Sequence, residues 1–444
     1  MTARKVYFVS LGCPKNRVDS EIMLGELARR DYDVVGTAEE ADLLVVNTCS
    51  FVEEAREESV DTILELARVK TQAETEKTLV VTGCLPQRYD AELKAEIPEV
   101  DLFMGTGDLA QIGDALAERS QETRSLVARP GHNYDTYSPR MLTTDPWTAY
   151  VKIAEGCSQR CSFCIIPRLR GGQKSRQIQD VFAEVRGLAE AGTGEINLIA
   201  QDLTHYGTDL KDGTSLSGLL RELVKVDGVR WIRLLYCYPH NFTDELIDLI
   251  AEEPKIASYV DMPLQHISDP MLAHMRRRFS EADTRALVKK MRARIPDLVF
   301  RTTFIAGHPG ETPRDFEVLH DFIAESRFER VGVFKYSRED GTRAARMDGH
   351  VQRIVAEDRH HRLMSLQRGI SAEIHQAMIG RELDVLVEGL SPETDLLLKG
   401  RSAGQAPEID GVTYINEGWA EPGTFVKAEV VDAGEYDLVA RILS

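Results

Sequence analysis

The chain has 444 residues and a formal net charge of −18, with 43% hydrophobic and 28% charged residues. Those proportions exclude a disordered chain, which lacks the apolar material to offset its ordering entropy, and the length suggests about three domains. No run approaches the ~18 apolar residues of a membrane span, the opening MTARKVYFVSLGCPKN has no secretory pattern, and so acidic a chain cannot hold nucleic acid by bulk charge.

The first segment alternates short apolar runs with helical stretches. Strands are expected at Val6–Ser10, Asp42–Asn47, Leu79–Thr82 and Asp101–Gly105. Helices are expected around Asp19–Arg30, over Glu53–Val69 and near Asp90–Glu96. Fully apolar strands separated by helices predict an open parallel α/β domain over residues 1–120. The polar stretch 121–146, with Pro130, Gly131, Pro139 and Pro146, reads as a linker.

Residues 147–379 repeat the alternation. Six strands are expected: Tyr150–Ala154, Glu195–Ala200, Ile232–Tyr236, Tyr259–Met262, Phe300–Ile305 and Val331–Tyr336. Helical stretches such as Gln179–Glu190 and Asp244–Glu252 lie between them, and Val351–Met378 closes the segment. Six βα units predict a partial (βα)6 barrel. Residues 380–444 change character, with β-like runs at Leu383–Glu388, Leu396–Leu398, Phe425–Val431 and Leu438–Ile442 separated by Gly and Pro. They predict a small antiparallel β-barrel. This last segment holds 5 basic and 13 acidic residues.

Seven cysteines in a reducing cytoplasm argue against a disulfide framework. Cys13, Cys49 and Cys84 each follow an apolar strand of the first domain. A parallel sheet gathers its strand ends on one edge, where ligands bind, so three distant thiols meet there. A second triplet, Cys157, Cys161 and Cys164, follows the first barrel strand at C-x3-C-x2-C spacing. Such a loop suits a cuboidal iron–sulfur cluster with one iron left open. Zinc is the rival at both places, although each triplet lacks a fourth protein ligand. Burial as small apolar side chains is the bland alternative.

The second triplet, with Phe163 before its last Cys, resembles the signature of radical S-adenosylmethionine (SAM) enzymes. Gly194-Glu195 and the run Ile305-Ala-Gly307-His-Pro-Gly310-Glu311-Thr312 resemble further SAM-facing elements of that superfamily. The chain as a whole is similar to the methylthiotransferases, through Ser10-Leu-Gly-Cys13-Pro-Lys-Asn16, Asn47-Thr-Cys49-Ser-Phe51 and Thr82-Gly-Cys84, and its last segment resembles their TRAM module. Tyr236-Cys-Tyr-Pro239, Pro263-Leu-Gln-His266-Ile-Ser-Asp-Pro270 and Tyr336-Ser-Arg-Glu-Asp-Gly-Thr342 are similar to the RimO branch, which modifies an aspartate of ribosomal protein S-twelve. The resemblance implies two 4Fe–4S clusters, one on each triplet, and SAM contacted by Phe163, Gly194, Glu195, Gly307 and Glu311. It also implies methylthiolation of the aspartate β-carbon and a reductase or flavodoxin-type electron donor. No catalytic residue beyond the cluster ligands is expected; His266 and His308, near strand ends, are assigned no catalytic role and are as readily structural, and Cys237 reads as structural. The near alternative is a tRNA adenosine methylthiotransferase, and the different-class alternative is a non-catalytic iron–sulfur redox sensor on the ribosome. The acidic last segment favours a basic protein partner over direct nucleic-acid binding, at a place in the cytoplasm without membrane contact.

Overall fold

A computed structural model describes residues 3–117, 123–130 and 138–443. The first body is a six-stranded parallel sheet whose spatial order is Tyr32–Val34, Arg4–Ser10, Leu43–Thr48, Thr78–Gly83, Leu102–Met104 and Arg124–Leu126. Leu43–Thr48 is buried along its whole length, as a central strand covered on both faces must be. The chain reverses direction across the sheet between Arg4–Ser10 and Leu43–Thr48. That switch point is where an open α/β sheet leaves a crevice at its carboxyl edge.

Two of these strands are absent from the sequence reading. Tyr32–Val34 is too short to show a period, and Arg124–Leu126 lies in the stretch expected as a linker, yet it pairs with Leu102–Met104 as an edge strand. The first helix begins earlier than expected, at Pro14, and runs to Ala28. Proline suits the first helical position because the missing N–H would have no partner there. The third helix starts at Cys84 itself.

The second body is an open, six-stranded parallel sheet of Thr148–Lys152, Glu195–Ile199, Trp231–Leu234, Ile256–Asp261, Val299–Ala306 and Arg330–Lys335, in that order. Its helices pack outside and its core holds Val151, Leu198, Ile232, Val260, Phe300 and Phe304. The long helix Arg353–Gln376 lies against the last strand and leads into the third body.

That third body is a closed five-stranded barrel of Glu382–Ser391, Thr394–Ser402, Thr413–Glu417, Leu438–Ile442 and Phe425–Ala433. Thr413–Glu417, unmarked in the sequence reading, pairs with Leu438–Ile442 in parallel, whereas the other pairs are antiparallel. The barrel encloses Val385, Val387, Leu398, Ile415, Ala428 and Ala440.

Candidate active site at two cysteine loops

Each first-domain cysteine sits just beyond a strand of the sheet, at its carboxyl edge. Cys13 caps the helix Pro14–Ala28, Cys49 follows Leu43–Thr48, and Cys84 opens the helix Cys84–Glu96. Asn16 ties the three loops together. Its Nδ2 donates to Leu11 O and Thr48 O, both at 2.9 Å, and its Oδ1 lies 4.0 Å from the Cys84 sulfur. Gly12 has φ +91°, and a Cβ there would stand 2.8 Å from Cys49 Cβ, so only glycine lets these two loops approach. Burial pushes the Cys49 thiol up to about 12, and the neighbouring Cys84 and Cys13 add to the rise. Cys84 is raised by burial too, against the pull of the Arg170 guanidinium, whose Nη2 is 3.7 Å from its sulfur.

The barrel triplet occupies the loop beyond Thr148–Lys152, likewise at the carboxyl ends of the strands. Cys157 N donates to Gly171 O at 3.0 Å, and Cys164 N to Cys161 O at 3.3 Å, which folds the loop back on itself. Burial pushes the Cys157 thiol up to about 12 and raises Cys164 as well. Arg277 places Nη1 3.6 Å from the Cys161 sulfur while its guanidinium stacks 4.1 Å over Tyr238. Each triplet thus has an arginine against one of its sulfurs.

A buried ion network joins the two loops. Lys152 Nζ bonds Asp19 Oδ1 at 2.5 Å and Glu155 Oε2 at 2.6 Å; Arg170 Nη1 bonds Asp19 Oδ2 at 2.6 Å and reaches Glu155 at 3.3 Å. Arg170 Nη2 also donates to Asn16 Oδ1. Burial alone would raise the Glu155 carboxyl, but Lys152 and Arg170 hold it below the usual carboxylate range. Asp19 and Asn16 belong to the first domain, Lys152, Glu155 and Arg170 to the barrel. Side chains buried on both sides of the seam therefore lock the triplets into one arrangement. None of these five was identified as a site residue from sequence, and their signal, polar or charged residues within a few positions of a cysteine, becomes visible only once burial is known.

The expected SAM contacts divide. Phe163 packs with Met271, Met275 and Ile305 and meets His308 edge-on at 6.4 Å. Gly307 follows the strand Val299–Ala306 and lines, with Tyr336 and Val351, a cavity of about 440 Å³. Glu311 is instead occupied as a brace: its carboxylate accepts from Gly307 N and from Arg359 Nη1 at 2.8 Å, and lies 3.4 Å from His266. His308 is driven down to about 4 by burial and stays neutral near pH 7. Cys237 is buried in the barrel core.

Gly194 and Glu195 require a correction. Glu195 is the first residue of its strand, so it lies at the end opposite the cysteine loop. It is fully buried between Arg233 Nη2 at 3.0 Å and Arg401 Nη2 at 2.7 Å, the latter from the C-terminal barrel. A Cβ on Gly194 would stand 2.8 Å from the Phe425 ring of that barrel. The pair forms a joint with the C-terminal barrel, at the end of the strand away from the cysteine loop. The carboxyl end of the same strand leads to Gln201, whose Nε2 donates to Glu155 Oε1 at 2.8 Å while its buried Oε1 has no hydrogen-bond partner among the described residues. Gln201, which lies at the same edge as the cysteine loop, was not singled out from sequence.

The donor set fits iron–sulfur clusters. The helices starting at Pro14 and Cys84 point their N-terminal N–H groups toward the first triplet, which favours negative charge there, and the two arginines add cationic charge. Among the described residues no three His, Cys, Asp or Glu converge on one point as ligands of a single ion; a cuboidal cluster spreads its thiolates over its corners and does not require this. The described residues contain no helix long and apolar enough to cross a membrane.

Family models match the chain in three places: "Uncharacterized protein family UPF0004" over residues 5–105, the radical SAM superfamily over 151–323 and the TRAM domain over 379–443. Among curated relatives, a protein of Citrifermentans bemidjiense called ribosomal protein uS12 methylthiotransferase RimO is 51% identical, covering 100% of this chain and 99% of its own length. Proteins of the same name from Pelobacter propionicus (51% identical, 99% and 98%) and Geobacter sulfurreducens (50%, 99% and 99%) match equally broadly. The radical SAM methyltransferase TsrM of Kitasatospora setae shares the fold, with a TM-score of 0.55 at 17% identity over 74% of this chain and 73% of that one.

Proposed function

Since the chain belongs to the RimO family of radical SAM methylthiotransferases, we propose that it adds a methylthio group to the β-carbon of an aspartate in uS12, the S-twelve protein of the small ribosomal subunit. The observation that carries this reading is the buried network of Asp19, Lys152, Glu155 and Arg170, which holds two three-cysteine loops against each other. An unactivated sp³ C–H bond offers no proton to a base, so the reaction calls for a radical. A cluster at the barrel triplet would supply the electron for reductive cleavage of SAM, and a cluster at the first-domain triplet would supply the site from which sulfur is inserted. Cys157, Cys161 and Cys164 hold the first of these, and Cys13, Cys49 and Cys84 the second. Arg277 and Arg170 offset the thiolate charge, Asn16 fixes the loop geometry, and the ion network sets the spacing between the two centres. Phe163, Gly307 and Gln201 stand at the strand ends to receive SAM.

A protein substrate suits the C-terminal barrel better than RNA. All five of its basic side chains face carboxylates: Arg381 with Asp297, Lys399 and Arg401 with Glu388, Lys427 with Asp384, and Arg441 with Glu429. Exposed Glu393, Asp395, Glu417, Glu421 and Asp432 have no ion pair among the described residues. Such a surface repels a phosphate backbone and speeds encounter with a basic ribosomal protein. The reading places the enzyme in the cytoplasm with a reductase or flavodoxin-type donor. The test is anaerobic incubation of the reconstituted protein with SAM, a reductant and either uS12 or tRNA. A methylthio mass gain on a uS12 aspartate is expected. Modification of tRNA alone would move the chain to the RNA-modifying branch, and failure to cleave SAM would leave only the sensor reading.

A further inference from the structure

Lys15 lies in the first turn of the helix that follows Cys13 and is only 6% exposed. Its ammonium sits 2.8 Å from the centroid of the Tyr236 ring, just past the barrel strand Trp231–Leu234. Lys15 therefore spans the seam between the first domain and the barrel. Tyr236 itself holds φ +65°, a conformation that a bulky side chain adopts only under constraint.

Among the described residues Lys15 forms no hydrogen bond or ion pair. The charged groups that act on it are Cys13, Asp261, Arg170 and Glu155, and both carboxylates are committed elsewhere. Asp261 accepts from Tyr236 N at 2.9 Å and from Arg301 Nη1 at 2.8 Å. Glu155 is taken by Lys152, Arg170 and Gln201. Lys152 and Arg170 share Asp19 and Glu155, and Asp261 is paired with Arg301, so no carboxylate in the seam is hydrogen-bonded to Lys15. A buried ammonium without a hydrogen-bonded partner is costly, and an aromatic face offsets only part of that cost.

We infer that Lys15 binds the side-chain carboxylate of the substrate aspartate, with Tyr236 as the wall that positions it between the two cysteine loops. The inference rests on the reading of uS12 aspartate as substrate and adds the residue that recognises it. A carboxylate seated there would give Lys15 the hydrogen-bonded partner it lacks, and its β-carbon, one bond away, would lie between the two cysteine loops. An adenine base brings no anion to this position, so Lys15 also selects a carboxylate substrate over a nucleobase.

The test measures binding of a uS12 peptide carrying aspartate at the target position, and of the same peptide with asparagine, to the reconstituted holoprotein by fluorescence anisotropy. The wild type should prefer the aspartate peptide by about tenfold or more, as a charge-assisted contact in a buried site implies. Lys15→Met should erase that preference by weakening the aspartate peptide alone, and Lys15→Arg should restore part of it. A Lys15→Met protein that still prefers aspartate, or that weakens both peptides equally, would overturn the inference. So would loss of iron from the first triplet, which would make Lys15 a counter-charge for the cluster. A wild type that shows no preference for aspartate over asparagine overturns it without any variant. A wild type that modifies tRNA and leaves uS12 untouched overturns the proposed function itself.

Discussion

Replacing Glu195 by Gln removes one negative charge from between two buried guanidiniums, those of Arg233 and Arg401. Burial would raise this carboxyl, but Arg401 and Arg233 hold it down at about 2, against an ordinary 4.5. At 1.36 kcal/mol per unit, that difference corresponds to about 3 kcal/mol of stabilisation. Breaking a buried pair from one side costs a similar roughly 3–5 kcal/mol. Because the folded pKa is depressed, the contribution is full above about pH 4.5 and is lost as pH falls from 4.5 toward 2. The loss should appear as undocking of the C-terminal barrel, since Arg401 belongs to it. Trp231 stacks edge-on against Phe425 at 4.8 Å on this joint, so its fluorescence reports docking directly. In urea titrations Glu195→Gln should lower the free energy of the fluorescence transition by about 3 kcal/mol and flatten its dependence on acid pH. Arg401→Met combined with Glu195→Gln should cost less than the sum of the two changes, because both act on one pair. A loss below about 1 kcal/mol, or additive effects, would refute the account. A raised KM for SAM with an unchanged fluorescence transition would return Glu195 to the SAM site.

Changing Cys157, Cys161 and Cys164 together to Ala should halve the bound iron and abolish SAM cleavage, whereas changing Cys13, Cys49 and Cys84 should halve the iron and stop sulfur insertion while SAM is still cleaved; iron assay and 5′-deoxyadenosine release check both, and full iron in either variant contradicts two separate sites. Reversing Glu393, Asp395, Glu417 and Glu421 to Lys should slow association with uS12 at low salt, and the wild-type advantage should shrink as the Debye length falls to about 8 Å near physiological ionic strength; stopped-flow association over a salt series measures this. Gly194→Val should loosen the C-terminal barrel by about 1–3 kcal/mol, because its Cβ would stand 2.8 Å from the Phe425 ring; the same fluorescence transition reports it, and a smaller side chain at Phe425 should recover part of the loss.

Much of this protein was legible in the order of its residues. Apolar runs such as Leu43–Thr48 are strands wherever they fall, because a parallel sheet covered on both faces accepts nothing else. A cysteine directly after such a run must lie at the carboxyl edge of the sheet, so the gathering of Cys13, Cys49 and Cys84 followed from strand direction alone. The same rule places Glu195, which precedes its apolar run, at the opposite edge, and Gln201, which follows that run, at the cysteine edge. Short strands were not legible: Tyr32–Val34, Arg124–Leu126 and Thr413–Glu417 are too brief or too mixed for a period, and only pairing with a neighbour makes them strands. Partners distant in sequence were decided by the tertiary structure. Glu195 meets Arg401 across 206 positions and Asp19 meets Arg170 across 151. Nothing local distinguishes these residues from solvated charges, because what gives them their role is desolvation. Lys15 is the clearest case: in the sequence it is one lysine beside a cysteine, and only burial without a hydrogen-bonded partner sets it apart.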